Sequence, residues 1–228
     1  MRIEPLGDAA LVVRVVEKFH PEQSLDAVLR AVHRIELAAI PGVIDLAPAY
    51  TTIGVFFDPT RTPAFEEFKT TIEKALRADL EPARPRAGPN CIIEVPVCYE
   101  GEFAPDLDDV AQHAGLSHDD VIERHAAAAY RVSCVGFTPG FPYLSGLPPE
   151  LATPRRSSPR KEVPAGAVAI GGTQTGIYPR KSPGGWNIIG RTPLRLFAAE
   201  REPPALFQTG DRVRFRRISR DEFERLLA

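Results

Sequence analysis

The sequence predicts an α+β chain of two units: a small ferredoxin-like α/β domain over residues 1–85 and a β-barrel domain over residues 86–228. Three observations carry this. Up to Cys98 the apolar residues switch between strand-like and helix-like spacing. A stiff, proline-rich stretch, EPARPRAGPN at 81–90, then separates two bodies of sequence. Finally, ten prolines and ten glycines between residues 136 and 193 interrupt short β-prone pieces, the pattern of a compact barrel with long ordered loops.

The elements follow in order. Ala9–Val16 is a β-branched run that ends at EKFHPE. From Ser24 to Leu37, Leu25, Val28, Leu29, Val32 and Ile35 recur at helical spacing, and Pro41-Gly42 stops that helix. Val43–Ala47 and Thr51–Phe57 read as strands about a turn containing Pro48. Pro63 precedes a second helix whose stripe is Phe65, Phe68, Ile72 and Leu76. Cys91–Cys98 completes a β-α-β-β-α-β order, which gives the ferredoxin-like expectation. Beyond it, Asp106–His113 and Asp119–Ala126 read as short helices, the second opened by Ser117 with Asp120 three residues on. Val168–Ile170, Trp186–Ile189 and Val213–Arg217 are strands, and Arg220–Leu227 is a terminal helix.

Composition narrows the function classes. The 228 residues are 43% hydrophobic with a formal net charge of −2, so no general attraction to nucleic acid or anionic membrane is expected. The 23 prolines are about twice the usual share of roughly 5%. No apolar run approaches the ~18 residues of a membrane span, and MRIEPLGDAALVV does not read as a secretory signal. Cys91, Cys98 and Cys134 form no C-x-x-C pair, so free thiols and a cytoplasmic location are expected.

Charge is segregated along the second unit. Residues 91–125 hold nine acids and one arginine, which fits a solvated face with carboxylates near helix N-termini. Residues 155–191 hold seven Lys or Arg and one acid, Glu162. No phosphate loop, dinucleotide fingerprint or H-E-x-x-H occurs. His113, His118 and His125 lack partners at metal-ligand spacing, so no metal site is expected.

What remains is a constellation of four loops: GFTPGFPYLSGLP (136–148), TPRRSSPRKEVPAG (153–166), GGTQTGIYP (171–179) and SPGGWNIIGRTP (182–193). Each joins glycine, which lets backbone amides approach a ligand, to proline, which fixes the loop. The groups they offer are Tyr143; Arg155, Arg156 and Arg160; Gln174, Thr175 and Tyr178; Ser182, Gly184, Gly185, Trp186 and Arg191. Guanidinium forks and bare amides suit a small acid or a phosphate. Phe137, Phe141 and Trp186 can equally be core.

On these loops, and on PLGDAALVV (5–13), PGVIDLAPAYTTIGVFFDP (41–59) and VPVCYEGEFAPDLDDVA (95–111), the chain resembles a family known under three names: the 5-oxoprolinase B subunit, allophanate hydrolase subunit 1 and sporulation-kinase inhibitor. Glu100 replaces a usual glycine, and His125-Ala126 a usual His-Ser pair. The resemblance implies a small α/β domain joined to a cyclophilin-like barrel. It also implies one component of a bacterial ATP-dependent 5-oxoprolinase, which opens 5-oxo-L-proline to L-glutamate. The implied partners are a larger homologous subunit and a hydrolase-like subunit, with ATP and Mg2+ bound in the complex.

On that reading Arg155 or Arg160 neutralises the substrate carboxylate or a phosphate. Arg191 and the Gly184-Gly185 amides steady the transferred group, while Gln174 and Thr175 orient the lactam. Tyr143, Tyr178, Ser182 and Trp186 complete the wall. Two alternatives come from other classes: a module that binds a sensor histidine kinase, and a carboxyltransferase component of a urea carboxylase type of system. The first would need no chemistry of its own, and the second would take carboxybiotin from another chain.

Overall fold

A computed structural model describes residues 2–78 and 92–227. The chain folds as two compact units, Met1–Pro89 and Asn90–Ala228. The boundary expected at 85/86, the 81–90 connector and Cys91 lie outside the described residues. Among those described, no helix is long and apolar enough to cross a membrane.

The first unit opens with a hairpin of β1 (Arg2–Pro5) and β2 (Ala10–Arg14). Helix α1 (Pro21–Leu37), the hairpin β3 (Val43–Ala49) and β4 (Thr52–Phe57), and α2 (Phe65–Arg77) follow. The strands form one antiparallel sheet in the order β1-β2-β4-β3. Period-two alternation puts Leu11, Val13, Ile53 and Val55 on one face, where Val28 and Ile35 of α1 and Phe68 and Ile72 of α2 close over them. All eight are essentially buried. Each such side chain contributes about 1.5–3 kcal/mol relative to exposure.

The expected β-α-β-β-α-β order is corrected in two places. Ile92–Cys98 leaves this unit for the barrel, and Arg2–Pro5 joins the sheet at its other end. Pro48 is not in the turn: it lies within β3 opposite Ile53, and the chain reverses at Tyr50 (φ 49°) and Thr51. β3 is an edge strand, where a residue without an N–H is tolerated. α1 begins earlier than its apolar stripe suggests, because Pro21 occupies the first turn and Ser24 Oγ accepts the His20 N–H at 2.8 Å.

The second unit runs through β5 (Ile92–Cys98), α3 (Leu107–Ala114), α4 (His118–Ala127), β6 (Tyr130–Val135) and β7 (Pro142–Ser145). It continues with β8 (Arg160–Val163), β9 (Ala167–Gly171), β10 (Gln174–Ile177), β11 (Ser182–Gly184), β12 (Asn187–Arg191), β13 (Arg212–Ile218) and α5 (Arg220–Leu227). Seven strands close a barrel in the order β10-β7-β6-β13-β5-β12-β9. β13 runs parallel to β5 over seven partners, from Arg212–Ile92 to Ile218–Cys98. β8 and β11 form a separate two-stranded sheet. The α+β class and the barrel expected from the sequence are both present. Ser117 caps α4 in a reciprocal capping box with Asp120, as its spacing predicts.

Alternation along β9 separates two cores. Val168 and Ile170 join the larger one, with Val97, Val132, Leu144, Ile189 and Phe215, beneath Val110 of α3 and Val121 of α4. Ala167 and Ala169 face a smaller aromatic core of Phe141, Tyr178 and Trp186. Trp186 lies flat on β9: a Cβ on Gly171 would fall 2.4 Å from its ring, so only glycine fits there.

Candidate functional site

A cleft of about 300 Å3 opens where the 3-10 turn Gly101–Phe103, β8, the start of β9 and β12 converge. Phe103, Pro105, Pro164, Ala167 and Ile188 give it apolar walls, and Arg160 and Arg191 supply its cations. Glu102 and Glu162 also reach it. Each of these acids is paired, Glu102 with Arg220 at 2.6 Å and Glu162 with Lys181 at 2.6 Å.

Arg160 is held by a residue that the sequence reading placed elsewhere. Asp106 precedes α3, yet its carboxylate does not cap that helix. It is 1% exposed and turns inward. Its oxygens accept both Arg160 Nη atoms at 2.7 and 2.8 Å, Arg156 Nη1 at 2.7 Å and the Ile188 N–H at 2.7 Å. The Asp106 N–H in turn donates to Ile188 O at 3.0 Å, tying α3 to β12. Asp109 also approaches Arg156, at 3.7 Å, so the two guanidiniums of this cluster are matched by two carboxylates and the Asp106 side chain serves to fix Arg160 in place.

Arg191 is fixed differently. Its Nε donates to Ala165 O at 2.9 Å, and its guanidinium lies 5.8 Å from the Phe103 ring and 5.9 Å from the Phe223 ring. Among the described residues no carboxylate pairs with it. Phe223 belongs to α5 and also contacts Phe103, centroid to centroid at 4.5 Å, so the terminal helix braces this wall.

The other residues singled out from the sequence fall into two groups. Tyr143, Tyr178 and Trp186 gather around Phe141 in the aromatic core beside the cleft, and Arg155 lies over the Trp186 ring at 5.7 Å. Burial raises the phenol of Tyr178 above its usual range, against the opposing pull of Arg155 and Arg160. Burial likewise raises Tyr143. Gly184 sits against Tyr178, whose hydroxyl would be 2.3 Å from an added Cβ, and Gly185 O accepts the Arg156 N–H at 2.8 Å. Gly184 therefore serves close packing, whereas an added Cβ at Gly185 would meet only Pro159, at 3.5 Å. Ser182 Oγ is buried beside them, with no hydrogen-bond partner among the described residues.

Gln174 and Thr175 occupy β10. Gln174 is half-buried, whereas Thr175 is wholly buried and belongs to a hydrogen-bonded chain through the barrel. Thr175 Oγ1 donates to Ala169 O at 3.0 Å, so towards His125 Nε2, at 3.1 Å, it can only accept. That assigns the His125 proton to Nε2 and leaves Nδ1 to accept from Tyr99 Oη at 2.9 Å. His125 is stacked on Phe215 at 4.5 Å, and burial depresses its pKa to about 3. Among the other histidines, His118 pairs with Asp108 on the surface.

The structure thus brings Arg160 and Arg191 to one cleft. It sets Tyr143, Arg155, Tyr178, Gly184 and Trp186 on a neighbouring aromatic wall and Thr175 inside the barrel. Sequence reading missed Asp106 and Phe103. Asp106 lay within a run of acids, and nothing local marks it as the partner of arginines 50 and 54 residues away.

Residues 1–207 match the family described as carboxyltransferase domain, subdomain C and D. The chain is 42% identical to a Bacillus subtilis protein named as the B subunit of 5-oxoprolinase, covering 97% of this chain and 95% of that one. The crystal structure of TTHA0988 superposes with a TM-score of 0.78 at 38% identity, covering 92% of this chain but only 40% of that longer one. K. lactis urea amidolyase, at 20% identity and a TM-score of 0.74, shares the fold over 97% of this chain and 15% of its own. By the family match and the full-length similarity together, this chain belongs to the 5-oxoprolinase B-subunit family, built on subdomains C and D of the carboxyltransferase domain.

Proposed function

We propose that this chain is one component of an ATP-dependent 5-oxoprolinase that opens 5-oxo-L-proline to L-glutamate, working with a larger homologous subunit and a hydrolase-like subunit. The observation that carries this reading is the cleft with two guanidiniums on apolar walls, in a chain 42% identical along its length to a protein of that name. A cleft of about 300 Å3 is at the small end of ligand pockets, which suits a five-membered ring with one carboxylate better than a whole nucleotide.

Arg191, free of any carboxylate among the described residues, neutralises the substrate's carboxylate. Phe103, Pro164 and Ile188 flank the ring. Arg160, held rigid by Asp106, faces the amide oxygen, where negative charge develops when the lactam is activated. A five-membered amide is nearly strain-free, and activation of its oxygen by phosphoryl transfer gives ATP a reason to be consumed. Glu102 and Glu162 are already paired, so this wall offers cations to an anion rather than carboxylates to Mg2+. The nucleotide and its metal are therefore assigned to surfaces completed by the partner subunits.

The test is co-expression with both partners and measurement of ATP-dependent glutamate release from 5-oxoproline. Absence of turnover by the wild-type assembly rejects the function. Turnover unaffected by alanine at both Arg160 and Arg191 rejects the cleft.

A further inference from the structure

We propose that Arg220 of the terminal helix is a positioning residue for the cleft: it holds the Glu102 carboxylate away from Arg191 and so keeps Arg191 open to an anionic substrate. The inference rests on the function proposed above and adds how the charge of that site is kept available. Glu102 and Arg191 line the same small cleft, and a glutamate is ionised at neutral pH. A carboxylate and a guanidinium that share a cleft attract each other unless another group takes one of them. Here Arg220 takes the carboxylate. Its Nη2 donates to Glu102 Oε1 at 2.6 Å and its Nη1 to Oε2 at 3.1 Å.

The guanidinium that does this is itself anchored. Arg220 Nε donates to Glu224 Oε1 at 3.2 Å, one turn further along α5. The same guanidinium lies 5.6 Å from the Phe103 ring. A fork held in this way sets the direction of the Glu102 side chain, which a single exposed ion pair does not. The other acid of the cleft lacks that bracing: Glu162 meets Lys181 at one contact of 2.6 Å, with both side chains exposed.

The helix that carries Arg220 is fixed to the strand that carries Arg191. Phe223 of α5 is 2% exposed, in a small core with Cys98 and Ile218. Cys98 of β5 is the register partner of both Arg191 in β12 and Ile218 in β13. Arg191 and Arg220 then approach one ring, that of Phe103, at 5.8 and 5.6 Å. Glu102 is the residue before that ring, and its carboxylate is bonded to Arg220.

The test is steady-state kinetics of the assembled enzyme with 5-oxoproline varied. In Arg220→Ala the released Glu102 competes with the substrate's carboxylate for Arg191, so KM should rise about three- to fivefold, the scale of one exposed ion pair. Saturating substrate displaces an internal competitor, so kcat should stay within about twofold. Arg220→Lys, a milder change that keeps a cation beside Glu102 without the fork, should raise KM less. Adding Glu102→Gln to Arg220→Ala removes the competing charge and should bring KM back to that of Glu102→Gln alone. An unchanged KM in Arg220→Ala overturns the inference and leaves the function standing. A rise that persists beside Glu102→Gln overturns it as well, since Arg220 would then be supporting the fold. If the wild-type assembly shows no turnover, the function fails and this inference with it.

Discussion

Asp106 and Arg160, 54 residues apart in sequence, form a bidentate ion pair at 2.7 and 2.8 Å around which the cleft is arranged. The carboxylate also takes Arg156 and the Ile188 N–H, so α3, the arginine loop and β12 meet at one buried side chain.

Removing that carboxylate strands Arg160 and the buried Ile188 amide, and leaves Arg156 only Asp109 at 3.7 Å. Asp106→Ala should therefore destabilise the second unit by about 3–5 kcal/mol, the cost of breaking a buried pair on one side only. Urea denaturation of the variant beside the wild type measures it.

Arg191 should behave in the opposite sense. Its fold contacts are one backbone hydrogen bond and two cation–π approaches, so Arg191→Ala should cost about 1 kcal/mol of stability. Turnover of the assembled enzyme should nevertheless fall by about 100-fold, the scale expected for losing one charge-stabilising donor. A lysine there should restore only part of the activity, since it keeps the charge and loses the planar fork. Steady-state kinetics of the three forms decides the matter.

His125 is buried neutral with its pKa depressed to about 3, while in the unfolded chain it titrates near 6.5. Below pH 6.5 the unfolded state therefore binds a proton that the folded state refuses. This contribution to stability is whole above pH 6.5 and declines by about 1.4 kcal/mol per pH unit as the pH falls towards 3. Denaturation at pH 7, 6 and 5 should show the decline, and the difference from His125→Gln, which cannot titrate, isolates it. Nitrogen NMR should find the proton on Nε2.

Trp186 is the sole tryptophan, which makes the aromatic core directly observable. Gly171→Ala drives a methyl to within 2.4 Å of the indole. The substitution should cost at least the 1–3 kcal/mol of an overpacked core and shift the fluorescence maximum as the ring is displaced. Gly172→Ala is the neighbouring comparison: it adds a methyl in a left-handed conformation, φ 65°, but with no atom within 4 Å of the new Cβ it should leave the emission unchanged.

Local patterns were legible where one physical rule governed a segment. The stripe of Phe68 and Ile72 gave α2, the Ser117–Asp120 spacing gave the capping box, and the short β-prone piece Val168–Ile170 gave β9. Short barrel strands such as Pro142–Ser145 and Gln174–Ile177 were hidden, because glycine and proline chosen for packing and bends erase the period-two signal. The loop glycines that sequence chemistry offered to a ligand's anion are in part spent on aromatic rings, as Gly171 and Gly184 show.

By itself, the sequence determined the α+β class, the position of the major helices and the concentration of arginine, glycine and aromatic residues in four loops. Those features depend on neighbours a few residues apart. Only the tertiary structure decided that Ile92–Cys98 pairs with Arg212–Ile218, that Asp106 clamps Arg160, and that Arg191 and Arg155 face different surroundings. The reason is physical: strand partnership and ion pairing across more than fifty residues are set by closure of the barrel and by desolvation inside it, and no local spacing records either.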